Sequence, residues 1–233
     1  MEQRPVRPRR RNTSRKVATK KRDHMNIADE INEVIRKITS SGESHQVILE
    51  RAFGTGAADL WNACTNPQRL SRWFEPVRGD LTLGGRYTLT TSGTEGEIRR
   101  CEPPRHLAIT WEYQGNISHV DVEVIPAANE LTLLRLTHPD DHWDTYGPAA
   151  AGVGWEESLR ALSRYLGGDA RCDPDAMEAF AGTPEGQELT RRAANAWGRA
   201  DQEAGTPASD AETRALRTAA FYLGGTGEEQ SDG

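Results

Sequence analysis

A chain of 233 residues, 36% hydrophobic and 27% charged, is long for one domain and short for two. No stretch approaches the roughly 18 consecutive apolar residues of a membrane span, and six histidines and three cysteines without tight clustering give no strong metal signature. The net charge of −6 hides a gradient: residues 1–22 hold seven Arg, three Lys and one Glu, a net of +9, so the remainder carries −15 and is poorly suited to nucleic acid.

In chain order, residues 1–24 read as a disordered basic tail: a tether to nucleic acid or another polyanion, a solvated tail, or a stretch upstream of a start at Met25, which opens the first organised segment. No apolar run follows Arg9-Arg10, which excludes a secretory signal. Ile27, Ile31, Val34, Ile35 and Ile38 predict an amphipathic helix over 26–39, capped by Asn26 with Asp29 at the capping-box position, in an N-terminal helical unit of 25–44. His45–Phe53 reads as a strand. Ala57–Cys64 reads as a helix, and Asn66-Pro67 opens another that ends near Trp73-Phe74.

Glycine and proline breaks then separate strands at Arg86–Thr91, Glu95–Cys101, Arg105–Tyr113, Ile117–Ile125 and Glu130–His138, a pattern that suits an antiparallel meander. Alternation turns Tyr87, Leu89, Leu107, Ile109, Trp111, Tyr113, Val120, Val122, Val124, Leu134, Leu136 and His138 inward and leaves Glu112 and Asp121 in solvent. Pro148 to Leu166 is the main helix, with Trp155, Leu159, Leu162 and Leu166 on one face and Glu156, Arg160 and Arg164 on the other. An α+β fold follows, a curved antiparallel sheet wrapped on one long helix. Beyond Gly168 a helical extension of 169–225 is expected, with one helix opened by Thr183-Pro184 and another by the capping pattern Ser209–Glu212, before a disordered tail of 226–233.

Chemistry-bearing motifs are few. His138-Pro139-Asp140-Asp141-His142 places two imidazoles and two carboxylates together, which suits acid/base work or a metal, but the spacing supplies no third or fourth zinc ligand. Gly152-Val153-Gly154 lacks the third glycine of a dinucleotide loop and sits inside a helix, and neither a Walker loop nor a nucleophile elbow is present. Cys64, Cys101 and Cys172 are far apart with no C-x-x-C, the usage of a reducing cytoplasm.

Leu60-Trp61-Asn62-Ala63-Cys64-Thr65-Asn66-Pro67 with Leu70 and Trp73-Phe74 resembles a segment of the activator-of-heat-shock-ATPase-like family. Gly79-Asp80-Leu81, Gly84-Gly85-Arg86-Tyr87, Cys101–Arg105, Thr110-Trp111-Glu112 and Gly154-Trp155 continue the match in order over 45–168. The family belongs to the START/polyketide-cyclase/birch-pollen-allergen superfamily, so the resemblance implies a helix-grip (START-like) domain over 45–168 with extra helices at both ends. It also implies a cavity between sheet and long helix, with Trp73, Phe74, Tyr87, Trp111, Tyr113, His138, Trp143 and Trp155 as candidates to line it. The expected partner is an apolar or amphipathic small molecule in a cytoplasmic protein, with Tyr87, Tyr113 or His138 orienting one polar group and Gly154→Trp filling the space. No cofactor, metal or catalytic set is carried over. The alternatives are a stress-linked co-chaperone-like factor with a chaperone partner, and a cyclase or hydrolase with His138 as base. The eukaryotic namesake grips its 90-kDa chaperone through an additional N-terminal domain, for which residues 1–44 are too short.

Overall fold

The computed structural model describes residues 26–41, 44–139 and 143–224. The basic tail, the closing tail, and Asp140, Asp141 and His142 of the histidine cluster lie outside the described residues.

Strands β1 (Val34–Ser41), β2 (Ser44–Phe53), β3 (Val77–Gly79), β4 (Arg86–Leu89), β5 (Glu95–Glu102), β6 (His106–Tyr113), β7 (Asn116–Pro126) and β8 (Thr132–Pro139) form one sheet in the order β1-β2-β8-β7-β6-β5-β4-β3. Every neighbouring pair is antiparallel. β3 to β8 are the expected meander with one edge strand added, and the β1–β2 hairpin closes on β8 with Leu49 opposite Leu136 and Val47 opposite His138. Helix α5 (Ala149–Leu166) lies across the concave face, with Val153, Leu159 and Leu162 at 2% exposure or less. This is the helix-grip arrangement. Between β2 and β3 run α2 (Ala57–Thr65) and α3 (Pro67–Leu70). The break between them is made by Asn66, whose side-chain oxygen accepts from the Gln68 and Arg69 amides at 2.9 and 3.2 Å while Pro67 occupies the first turn.

Three sequence expectations need correction. The N-terminal helix, α1, covers only Ile27–Asn32, and Val34–Ser41 is β1. This β-branched segment pairs with β2 along its whole length, from Val34 opposite Arg51 to Ser41 opposite Ser44. Glu156 and Arg160, expected on the outer face of α5, are 5% and 7% exposed. The outer face is covered by the C-terminal extension, namely α6 (Pro174–Ala181), α7 (Pro184–Glu203) and α8 (Ala208–Tyr222), together with α1 and β1. Glu156 accepts from Arg36 Nε and Nη2, both at 2.7 Å, and Glu30 lies 2.8 Å from Arg51 and 3.7 Å from Arg160. The third correction is the start of α8, where Pro207 is the N-cap and Ser209 lies inside the helix.

The contact between α5 and α7 depends on a glycine. Trp197 of α7 is fully buried against Gly152 of α5, where a Cβ would overlap the indole ring. The long helix is therefore the middle of three layers, between sheet and extension. A short helix α4 (Trp143–Tyr146) links β8 to α5, and α8 is tied down by Thr218 Oγ1 donating to the Tyr146 carbonyl at 3.1 Å and Tyr222 Oη to the Ala150 carbonyl at 2.8 Å. Among the described residues no helix is long and apolar enough to cross a membrane.

The convex face of the sheet carries a run of charged pairs beside the exposed Ile35 and Ile117. Lys37 lies 3.0 Å from Glu50, Glu50 lies 2.7 Å from Arg135, and Arg135 lies 3.2 Å from Glu123, one ladder across four strands. Glu112 and Asp121 point outward as expected, paired with Arg86 and His106.

Candidate functional site

Between α5, the α2–α3 elbow and the concave face of the sheet lies a cavity of about 290 Å³. The aliphatic wall comes from the inward positions of the sheet, including Ile98, Leu107, Ile109, Val120, Val122, Leu134 and Leu136, with Leu159 and Leu162 from α5. Trp61, Cys64, Thr65 and Leu70 close one side, and Trp73 and Phe74 follow from the turn after α3. Of the eight aromatic or imidazole candidates named from the sequence, Trp73, Phe74, Tyr87, Trp111 and Trp155 line this space.

These rings form a continuous wall. Phe74 stands 5.6 Å from Trp73, 6.5 Å from Trp111 and 6.4 Å from Trp155, and Trp155 meets Trp111 edge-on at 5.3 Å. All are separations at which aromatic pairs attract.

Several polar atoms on the lining are already satisfied. Trp73 Nε1 donates to the Ala63 carbonyl at 3.1 Å, Thr65 Oγ1 to the Trp61 carbonyl at 2.8 Å, and Ser158 Oγ to the Gly154 carbonyl at 3.1 Å. Tyr87 lies across β5 at Gly96, where a Cβ would overlap the phenol ring, and its hydroxyl donates to the Thr110 carbonyl at 2.7 Å. Burial, helped by the Glu112 charge, pushes that phenol well above its ordinary pKa. Tyr87 is therefore a wall residue, and the expectation that it orients a polar group is corrected. Burial likewise pushes the Cys64 thiol up to about 12, far from the range of a nucleophile.

The remaining candidates sit elsewhere. Tyr113 ends β6 and is 44% exposed. Tyr113 and His138 line a second, outer pocket of about 390 Å³ with Asn116, Ser118, Tyr146, Thr218 and Phe221, and Trp111 lines both spaces. His138 Nδ1 accepts from Trp155 Nε1 at 2.9 Å and its Nε2 lies 2.8 Å from Ser118 Oγ, the pattern of a neutral ring carrying its proton on Nε2. Trp143 lines neither space. It is 7% exposed and stacks on His45 at 4.1 Å. Gly154 faces α8, where a Cβ would meet Tyr222 Oη at 2.8 Å, so Gly154→Trp would not fill the inner cavity.

No charged side chain occurs among the described residues lining the inner cavity. Among the described residues no group of three or more His, Cys, Asp or Glu is placed to hold a metal ion. The sequence reading passed over the aliphatic lining and Trp61, Cys64 and Ser158. The signal for the aliphatics was their inward parity, which marks core and cavity alike.

Residues 55–167 match the family model for activator of Hsp90 ATPase homolog 1-like protein. The solution structure of CalU16 from Micromonospora echinospora is 31% identical over 73% of this chain and 96% of CalU16, with a TM-score of 0.62. The crystal structure of CalU16 gives 28% identity over 72% and 96%, with a TM-score of 0.57. EF2215 from Enterococcus faecalis, a conserved protein of unknown function, shares the fold at 14% identity and a TM-score of 0.53 over 75% of this chain and 95% of its own. An HSP90 activator from Plasmodium falciparum is similar at 25% identity over 40% of this chain and 71% of its own, with a TM-score of 0.37. No curated protein matches the chain.

Proposed function

The chain belongs to the activator of Hsp90 ATPase homolog 1-like family, within the START-like superfamily, and we propose that it binds a hydrophobic or amphipathic small molecule between its sheet and α5. One observation carries this reading: an aromatic-walled cavity whose described lining residues include no charged side chain and whose hydroxyl and indole donors at Trp73, Tyr87, Thr65 and Ser158 already have protein acceptors. Such a space offers a ligand apolar burial, about 2.5 kcal/mol for each 100 Å² removed from water, and little else. The unpaired Cys64, Cys101 and Cys172 support a cytoplasmic setting.

The co-chaperone alternative draws on family membership. The Lys37–Glu50–Arg135–Glu123 ladder weighs against the convex face as its docking surface, because a partner there would have to displace pairs already made. The cyclase or hydrolase alternative needs His138 as a base, but its Nδ1 already accepts from Trp155 Nε1 and its Nε2 pairs with Ser118 Oγ.

Titration with naphthalene, followed calorimetrically, tests the reading. Saturable one-to-one binding is expected, with loss of at least tenfold in affinity for Val122→Trp, which fills the cavity from the middle of β7 on a strand that tolerates tryptophan. A folded Val122→Trp variant with wild-type affinity would sink the assignment.

A further inference from the structure

The inner cavity, at about 290 Å³, falls just under the range of roughly 300–1,000 Å³ typical of small-molecule sites. It accommodates one compact apolar body and is too small for an extended ligand. The outer pocket adds about 390 Å³, and Trp111 is a wall of both. Side chains stand where they meet: Trp111 and Trp155 pack edge-on at 5.3 Å, and the Trp155 indole is hydrogen-bonded to His138, itself bonded to Ser118. Side-chain partitions move at the cost of rotamers and one or two hydrogen bonds.

The two compartments differ in chemistry. The outer one is lined on its aromatic side by Tyr113, Tyr146 and Phe221 and on its polar side by Asn116, Ser118 and His138. As in the inner cavity, Asp, Glu, Lys and Arg do not occur among its described lining residues. Its far wall is α8, which contributes Thr218 and Phe221 and lies outside the family-matched segment of 55–167. Phe221 is 61% exposed although it sits 5.8 Å from Tyr146 at the rim, so an apolar surface is left open where a ligand would rest.

We propose that the outer pocket, walled by α8, is the second compartment of the same site and takes the hydrogen-bonding end of an elongated, neutral aromatic ligand whose apolar end fills the inner cavity. The inference rests on the apolar-ligand reading of the inner cavity. Trp155 and His138 are then the hinge of the site, and the C-terminal extension helps to set ligand length.

Two compounds separate the compartments in the full chain: naphthalene, a single apolar body, and N-phenyl-1-naphthylamine, a neutral two-lobed aromatic with one N–H. Ala151→Trp fills the outer pocket from the first turns of α5. It is expected to weaken N-phenyl-1-naphthylamine at least tenfold and to leave naphthalene within twofold. Phe221→Ala, at an exposed position where folding is not at stake, is expected to weaken N-phenyl-1-naphthylamine about fivefold with naphthalene unchanged. Unchanged N-phenyl-1-naphthylamine affinity in both variants overturns the two-compartment site while leaving the inner cavity standing. Parallel loss of both compounds in Ala151→Trp also overturns it, since the spaces would then not be separable. If neither compound binds the wild-type protein, the inner-cavity reading fails as well.

Discussion

Replacing Gly152 with alanine places a methyl group inside the indole of Trp197, at the contact that fastens the C-terminal extension to the long helix. Trp197 is 0% exposed, and Leu189, Ala193 and Ala194 of the same helix are exposed by 2% or less, so the ring has nowhere to retreat without α7 lifting from α5. Overpacking of this kind costs about 1–3 kcal/mol, and a rigid buried ring belongs at the upper end. Alanine in a helix interior returns about 1 kcal/mol relative to glycine, which leaves a net loss of about 2 kcal/mol. For a chain of this length that lowers Tm by about 4–8 °C. The control is Gly154→Ala, two residues along the same helix, where the new methyl meets only Tyr222 Oη, at the far end of a side chain; the helix gain of about 1 kcal/mol there offsets a disturbed Tyr222–Ala150 hydrogen bond of about 1 kcal/mol, and Tm is expected to hold within about 2 °C. Differential scanning calorimetry of the two variants decides the matter. A rise in Tm for Gly152→Ala, as for an ordinary exposed helix glycine, would refute the three-layer packing.

Adjacent carboxylates on α5 should behave oppositely. Glu156 is buried in a two-pronged pair with Arg36, so Glu156→Gln is expected to cost about 3–5 kcal/mol in urea unfolding, and a cost below 1 kcal/mol would contradict the pairing. Glu157 is held above the ordinary 4.5, chiefly by burial, with Arg160 opposing and Glu156 adding to the rise. A carboxyl raised on folding lowers stability as pH climbs from 4.5 through the raised value. Glu157→Gln is therefore expected to be neutral or stabilising at pH 7, with a flatter stability profile between pH 4.5 and 7 than the wild type. A variant less stable than the wild type at pH 7 would reverse that sign. With its thiol pushed up to about 12, Cys64 carries only about one thiolate in ten thousand at pH 8. Iodoacetamide should leave it unmodified in the native protein and label it after denaturation, as read by peptide mass spectrometry, and native labelling at the rate of a free thiol would contradict its burial.

Most of the sheet was legible because inward positions of β4 and of β6 to β8 alternate cleanly, while β5 breaks its alternation at a bulge between Ile98 and Arg100, and the main helix because Trp155, Leu159, Leu162 and Leu166 share one face. β1 was hidden by Arg36. With a charged residue at an inward strand position, Val34, Ile35 and Ile38 fit a helical stripe as well as a strand. The pair that makes Arg36 tolerable there, Glu156, lies 120 residues away and leaves no local trace. The same long-range burial misplaced Glu156 and Arg160, whose i, i+4 spacing has the form of a solvated helix face. At the site, parity brought Tyr87, Trp111 and His138 inward, but it cannot tell which of two spaces beside α5 an inward position reaches. Trp111 faces both spaces, whereas Tyr113 and His138 face only the outer one, and the Trp155–His138 bond at their junction joins residues 17 apart in the chain. Trp143 follows β8 on a helix too short to show periodicity, and its stacking on His45 depends on the β2–β8 pairing.

Native mass spectrometry of freshly purified protein, followed by denaturing extraction, asks whether the space under α5 holds a small molecule. An adduct of roughly 150–400 Da, released on extraction and missing from Val122→Trp, is the expected result. A wild-type protein that flies only as the bare chain, and that takes up neither naphthalene nor N-phenyl-1-naphthylamine when they are added, would contradict it.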